Sequence, residues 1–210
     1  MNAPHVAILL PSAGQRALAN LARDAIAKFT QDVSHEVWLL ETKPDLTNGS
    51  WMNGLALDAM IYGASSGEPT HIFCMHDDAL PTKPGWLPYL LGKPDQVGGV
   101  KASERTGFPH ASGVLFDIDF ALTHSMMPDL PKRDAGEWAG WCAHSHCHRQ
   151  SCTTCEPCWW AAFECDVSLW RDVAPGSPWE DFYVHFGGGS LNHRPDTAAW
   201  IAAARKALDL

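Results

Sequence analysis

The chain has 210 residues, 46% of them apolar, and a formal net charge of −9. This is enough for one α/β domain with a real core, and no apolar run approaches the roughly 18 residues that a bilayer-spanning helix needs. The acidic balance argues against a broad non-specific nucleic-acid surface and fits recruitment of a divalent cation.

Residues 6–10 (VAILL) form a short continuous apolar run without a basic flank. They read as a buried first strand and not as a signal peptide, so a cytoplasmic location is the default expectation. The turn PSAGQ follows. Residues 16–29 have helical spacing, with Leu18, Leu21, Ala22, Ala25, Ile26 and Phe29 on one face. Residues 36–40 (EVWLL) predict a second strand and 42–49 a polar loop. Residues 51–64 predict a second helix that buries Met52, Leu55, Ala59 and Met60, with Tyr62 a further candidate. Residues 71–75 (HIFCM) predict a third strand with Cys74 in the core, and 85–91 a short helix. Alternating strands and helices are the pattern of βαβ units and a parallel sheet. Right-handed crossovers then bring the strand ends to one edge.

In the second half, residues 98–101 (GGVK) and 112–116 (SGVLF) predict further strands, and 117–123 the start of a helix. Residues 127–158 break the pattern, being rich in Pro, Gly, Cys, His and Trp, and read as an insertion within a single domain spanning 1–210. Residues 159–169 return to strand-like composition. Residues 175–189 read as a loop carrying Glu180 and Asp181, and 197–210 as a terminal amphipathic helix.

The segment HIFCMHDDALPTKPGWLPYLL, residues 71–91, carries the clearest chemical signal. Its apolar run ends in Asp77 and Asp78. Two carboxylates at the C-terminal end of a buried strand are costly unless something cationic sits there, and that edge is where ligands bind in open α/β sheets. Paired hard oxygens suit Mg²⁺ or Mn²⁺ carried by a diphosphate. The competing reading is a turn in which an aspartate caps the following helix. Ten tryptophans are many for this length, and Trp51, Trp86, Trp138, Trp141 and Trp179 lie in Gly/Pro-rich stretches. For most of them ordinary packing is the expectation.

Six of seven cysteines fall between Cys142 and Cys165. The stretch WCAHSHCHRQSCTTCEPC contains Cys142, His144, His146, Cys147, His148, Cys152, Cys155 and Cys158. Cys152 and Cys155 have chelating spacing, and Cys142, Cys147 or a histidine could complete a structural Zn²⁺ tetrahedron. An iron–sulfur cluster on Cys152, Cys155 and Cys158 is the rival, with Cys165 badly spaced as a fourth ligand. Redox-active thiols are a third reading.

Six segments occur in an order that resembles the GT-A fold glycosyltransferases, particularly the large inverting family-two group. They are LLPSAGQR, VWLLETKPD, SWMNGLALDAM, HDDALPTKPGWL, GGVKASERTGFPHASGVLF and PWEDFYVHFGGG. The resemblance implies a Rossmann-like, mostly parallel central sheet flanked by helices. It also implies metal-dependent inverting transfer of a sugar from a nucleotide-diphosphate donor to an acceptor hydroxyl. Asp78 would bind Mn²⁺ or Mg²⁺ on the donor diphosphate, with Asp77 beside it toward the ribose. Pro11 and Ser12 would line the nucleotide pocket, and Glu41, or else Asp45, would approach the base or ribose. Asp181 would be the general base, with Glu180 competing. His193 would be a further metal or phosphate contact. Where the family's spaced Asp-x-Asp begins with a carboxylate, this chain has His76. Lys101 and Arg105 are candidates for an anionic contact and His110 for an acceptor contact, each set against ordinary surface roles. The acceptor stays open among a saccharide, a protein side chain, a metabolite and a modified nucleic-acid base. A nucleotidyltransferase on a related sheet and a non-catalytic zinc-bearing interaction module are the alternative functions.

Overall fold

The computed structural model describes residues 3–41, 56, 59–61, 63–64, 66–92, 97–99, 112–118, 179, 182–186 and 195–210, with only the backbone described for 97–99. The Cys/His-rich stretch 127–158, Asp45, Lys101, Arg105, His110, Glu180, Asp181 and His193 lie outside the described residues.

The chain opens with β1 (His5–Ser12) and α1 (Arg16–Phe29), then β2 (Ser34–Glu41) and β3 (His71–Met75). After these come β4 (Ala79–Pro81), α2 (Trp86–Leu91), β5 (Val97–Gly99) and β6 (Gly113–Asp117). Last are β7 (Tyr183–His185) and α3 (Thr197–Leu208). The main sheet has the order β2-β1-β3-β6-β5. Strands β1, β2 and β3 are parallel, β6 is antiparallel to β3, and β5 is antiparallel to β6. All the strands except β6 therefore run in one direction, which gives a mostly parallel sheet flanked by helices.

Strand β1 sits inside this sheet with both neighbours paired, and every residue from Val6 to Ser12 is buried. A strand covered on both faces has no solvent side to alternate with, hence its continuous apolar run. Helix α1 buries all six residues of the expected stripe, and Ala19 besides. Burying a Leu, Ile or Phe side chain stabilises by about 1.5–3 kcal/mol, so this face fixes the helix on the sheet. Helix α3 contacts α1 and buries Trp200, Ala204 and Leu208, spaced one turn apart. Lys28 Nζ, in the last turn of α1, donates to the carbonyls of Leu208 and Asp209 at 2.9 and 2.8 Å. It thereby satisfies acceptors that the end of α3 leaves without an intrahelical partner.

Among the described residues of the expected second helix, positions 56, 59–61, 63 and 64 are helical. Met60 is buried as expected, but Ala59 is exposed, because Ala56, Met60, Ile61 and Ala64 form the inward face. A Cβ on Gly63 would lie 2.8 Å from Trp38 Cζ3, so the missing side chain lets the helix approach β2.

Three expected boundaries change. The segment after Asp78 contains β4, not only a loop, and 175–189 contains β7; the two pair as a separate antiparallel ribbon. Asp117 ends β6, its backbone paired with His71, and Ile118 is the first helical residue, one later than expected, with 119–123 outside the described residues.

Candidate metal centre

Strand β3 delivers His76, Asp77 and Asp78 just past its last residue, at the C-terminal edge of the parallel strands. The chain turns there, with Ala79 N–H donating to the His76 carbonyl at 3.2 Å, and enters β4. Neither aspartate caps α2: its N-cap is Gly85, in the left-handed region at φ 86°, with no side-chain capping bond. The capping alternative is thereby removed.

The two aspartates face different surroundings. Asp77 is fully buried, and its Oδ2 accepts a 2.7 Å hydrogen bond from Ser12 Oγ at the end of β1. Among the described residues, its Oδ1 accepts none. Burial, reinforced by the charge of Asp78, pushes the Asp77 carboxyl up to about 7. The Ser12 hydroxyl and the N–H groups of Asp77 and Ala13 oppose this by favouring the anion.

Asp78, 1% exposed, faces two histidines. Its Oδ1 lies 3.2 Å from His185 Nε2 and 4.0 Å from His76 Nδ1. One ligand atom from each of the three residues lies within 4.8 Å of the others. Two donors each about 2.1 Å from one ion can be no more than about 4.2 Å apart. Both distances from Asp78 satisfy that limit. Two imidazoles and a carboxylate suit a divalent cation in chemistry, and the two histidine ligand atoms lie within 4.8 Å of each other.

The small ribbon brings His185 here. Ala79 pairs with His185, Leu80 with Val184 and Pro81 with Tyr183. Phe186 N–H also donates to the Asp78 carbonyl at 2.8 Å. An aromatic floor holds the ribbon in place. Trp86, 1% exposed, meets Phe73 edge-on at 4.9 Å and donates from Nε1 to Thr30 Oγ1 at 3.1 Å. Tyr183 donates to the Ser112 carbonyl at 2.7 Å. Burial, with Asp78 and Cys74 nearby, pushes the Tyr183 phenol well above its usual range, so it stays a neutral donor. Trp86 and Trp200 are thus packing residues, and Trp179 lies 5.6 Å from Trp200.

The remaining described candidates lie along the same edge. Pro11 and Ser12 end β1 and are buried. Glu41, at the end of β2, pairs with Arg16 at 3.2 Å. His185 has no counterpart in the sequence reading, which placed a histidine contact at His193. The available signal is the apolar run Tyr183, Val184, His185, Phe186, whose strand-forming composition marks it as more than a loop.

No protein-family model and no curated protein matches the chain. Solved structures similar to it include two glycosyltransferases. One is a glycosyltransferase involved in glycosylation of the major capsid of PBCV-1. It has a TM-score of 0.54 and 11% identity, and the match covers 88% of this chain and 94% of that one. The other is a mutant Drosophila β1,4-galactosyltransferase 7 in complex with manganese, UDP-Gal and xylobiose. Its TM-score is 0.38 with 15% identity, and the match covers 55% of this chain and 50% of that one. The first aligns along nearly the whole length of both chains. The chain has a GT-A-like glycosyltransferase fold.

Proposed function

We propose that this protein is a metal-dependent inverting glycosyltransferase that moves a sugar from a nucleotide-diphosphate donor to an acceptor hydroxyl. The observation that carries the reading is the convergence of His76, Asp78 and His185 at the ligand-binding edge of a GT-A-like sheet. These three residues would hold the cation. When bound, the ion supplies Lewis-acid neutralisation of charge on the departing diphosphate.

The chain's own groups do the rest. Pro11 and Ser12 line the nucleotide side, and Asp77 fixes the Ser12 hydroxyl through their 2.7 Å bond. Glu41 approaches the base or ribose from the end of β2. An acceptor hydroxyl is a poor nucleophile near neutral pH, so a carboxylate must take its proton as attack proceeds. Asp181 is assigned that role, with Glu180 as its competitor, because both immediately precede the ribbon that carries His185 in sequence. Attack from the face opposite the diphosphate inverts the anomeric centre. In the Cys/His-rich stretch, Cys142, His144, Cys147, His148, Cys152, Cys155 and Cys158 are proposed as the ligand pool for a structural zinc.

The test is calorimetric binding of UDP-, GDP- and dTDP-sugars, with and without Mn²⁺, to wild type and to Asp78→Ala. Metal-dependent binding of one donor, lost in the variant, supports the reading. Failure of every donor to bind in either condition overturns it.

A further inference from the structure

Strand β2 ends the main sheet. Among the described residues it pairs on one side only, with β1, and that pairing runs one to one from Ser34 to Glu41 without a bulge. Proteins usually blunt such an edge with Lys or Pro, a bulge or a very short strand. Here the strand has 8 residues, neither Lys nor Pro, and an unbroken apolar run from Val37 to Leu40. That run keeps surface in solvent: Val37, Trp38 and Leu39 are only partly buried, and Leu40 is 37% exposed. A long, regular, apolar edge is a template for a further strand.

The two faces of β2 differ. His35 and Val37 line a groove with Ile26 and Ala27 of α1. Trp38 faces the other way, toward Gly63 in the helix at 56–64. Side chains alternate along a strand, so odd-numbered residues lie on the α1 face and even-numbered ones on the opposite face. A second copy added antiparallel, about a two-fold axis normal to the sheet, keeps each face with its like. An odd residue then opposes an odd one, and the axis passes through a residue, not between two. Two positions of the axis give nearly full overlap of β2 with itself. With the axis at Val37, Glu36 opposes Trp38 and His35 opposes Leu39. With the axis at Trp38, Val37 opposes Leu39, Trp38 opposes its own copy and His35 opposes Glu41.

We infer that the protein forms a two-fold dimer in which the β2 strands of two copies pair antiparallel, centred on Trp38, so that one sheet runs through both chains. A second copy is the occupant because the strand complements itself in this register. Two Val37–Leu39 pairs flank the central tryptophans, and at each end a protonated His35 meets the carboxylate of Glu41. Glu41 already pairs with Arg16 of its own chain at 3.2 Å, so each end of the paired strands becomes a linked set of charges. The mismatched pair is Leu40 against Glu36, and it supplies the test.

The experiment is sedimentation velocity of the full-length chain at concentrations up to about 100 μM, well above the roughly 1 μM dissociation constant of a weak but specific complex. Wild type is expected to pass from monomer to dimer as concentration rises. Leu40→Glu sets like charges opposite each other twice, by symmetry, and is expected to weaken the dimer at least about tenfold. Leu40→Lys adds a charge at the same exposed position but of opposite sign to Glu36, and is expected to keep or tighten the dimer. Combining Leu40→Glu with Glu36→Lys is expected to restore it. Circular dichroism establishes that each variant is folded. Wild type that stays monomeric throughout overturns the inference, and so does a dimer that Leu40→Glu leaves intact. Equal losses in Leu40→Glu and Leu40→Lys, or no recovery in the folded double variant, overturn the register and with it the pairing. None of these readouts involves a nucleotide sugar or a cation, so the transferase reading stands or falls separately.

Discussion

Asp78 Oδ1 and His185 Nε2 lie 3.2 Å apart, joined across a three-residue ribbon in which Ala79 pairs with His185. The side chains meet because the backbones pair, so the geometry is set before any ion arrives. If both side chains serve one ion, their contributions to binding are not independent. His185→Ala and Asp78→Ala should each remove the metal-dependent part of nucleotide-sugar affinity. The double variant should lose little more than either single one. A double-mutant cycle on donor affinity in Mn²⁺ checks this, and simple additivity of the two losses would separate the residues.

Substitution of the base candidate should act on turnover and leave binding alone. Asp181→Asn should lower kcat by about 10²–10⁴-fold, the usual contribution of a positioned base. Donor affinity should stay near wild type. Glu180→Gln should retain most activity. If the two variants exchange these behaviours, Glu180 is the base.

Asp77 is expected to matter for stability more than for charge. Its Oδ2 accepts from Ser12, which is 2% exposed. Asp77→Ala removes that acceptor and should destabilise by about 0.5–1.5 kcal/mol, the net contribution of a typical hydrogen bond. Asp77→Asn keeps an acceptor oxygen and should lie closer to wild type. Urea unfolding of the three proteins decides the order. An Asp77→Ala midpoint equal to wild type would show that the Ser12 bond contributes nothing.

His71 gives the fold a pH dependence away from the site. Burial holds its imidazole below the ordinary 6.5, and Asp117, its register partner on β6, opposes the shift. With the folded pKa depressed, the unfolded chain binds the proton more readily. The stabilisation is therefore complete above about 6.5 and declines as pH falls from there through the folded pKa. His71→Gln should flatten that part of the profile. Thermal melts of both proteins between about pH 5 and 8 measure the difference, since the other histidines titrate equally in each. Identical slopes would refute the assignment.

Periodicity carries most of what can be read without coordinates. The stripe of α1 and the apolar run of β1 are statements about one helix and one strand, and burial follows them residue by residue. The carboxylates after β3 are legible for the same reason, because charge at the end of a buried run is locally anomalous. Ala59 is misread because several apolar residues offer more than one helical face, and tertiary packing turns Ala56, Met60, Ile61 and Ala64 inward.

The sequence by itself determined the strand–helix alternation, the mostly parallel sheet and the edge where Asp77 and Asp78 lie. Each of these follows from spacing within a short window or from the handedness of a crossover. Tertiary structure alone decided which aspartate faces outward to the histidines and which turns inward to Ser12. It also decided that His185 completes the cluster. Adjacent residues in a turn point in different directions, and local composition does not say which way. A three-residue strand acquires meaning only when a distant partner supplies its hydrogen bonds. Here β4 supplies them to β7, and pairing Ala79 with His185 places an imidazole against Asp78.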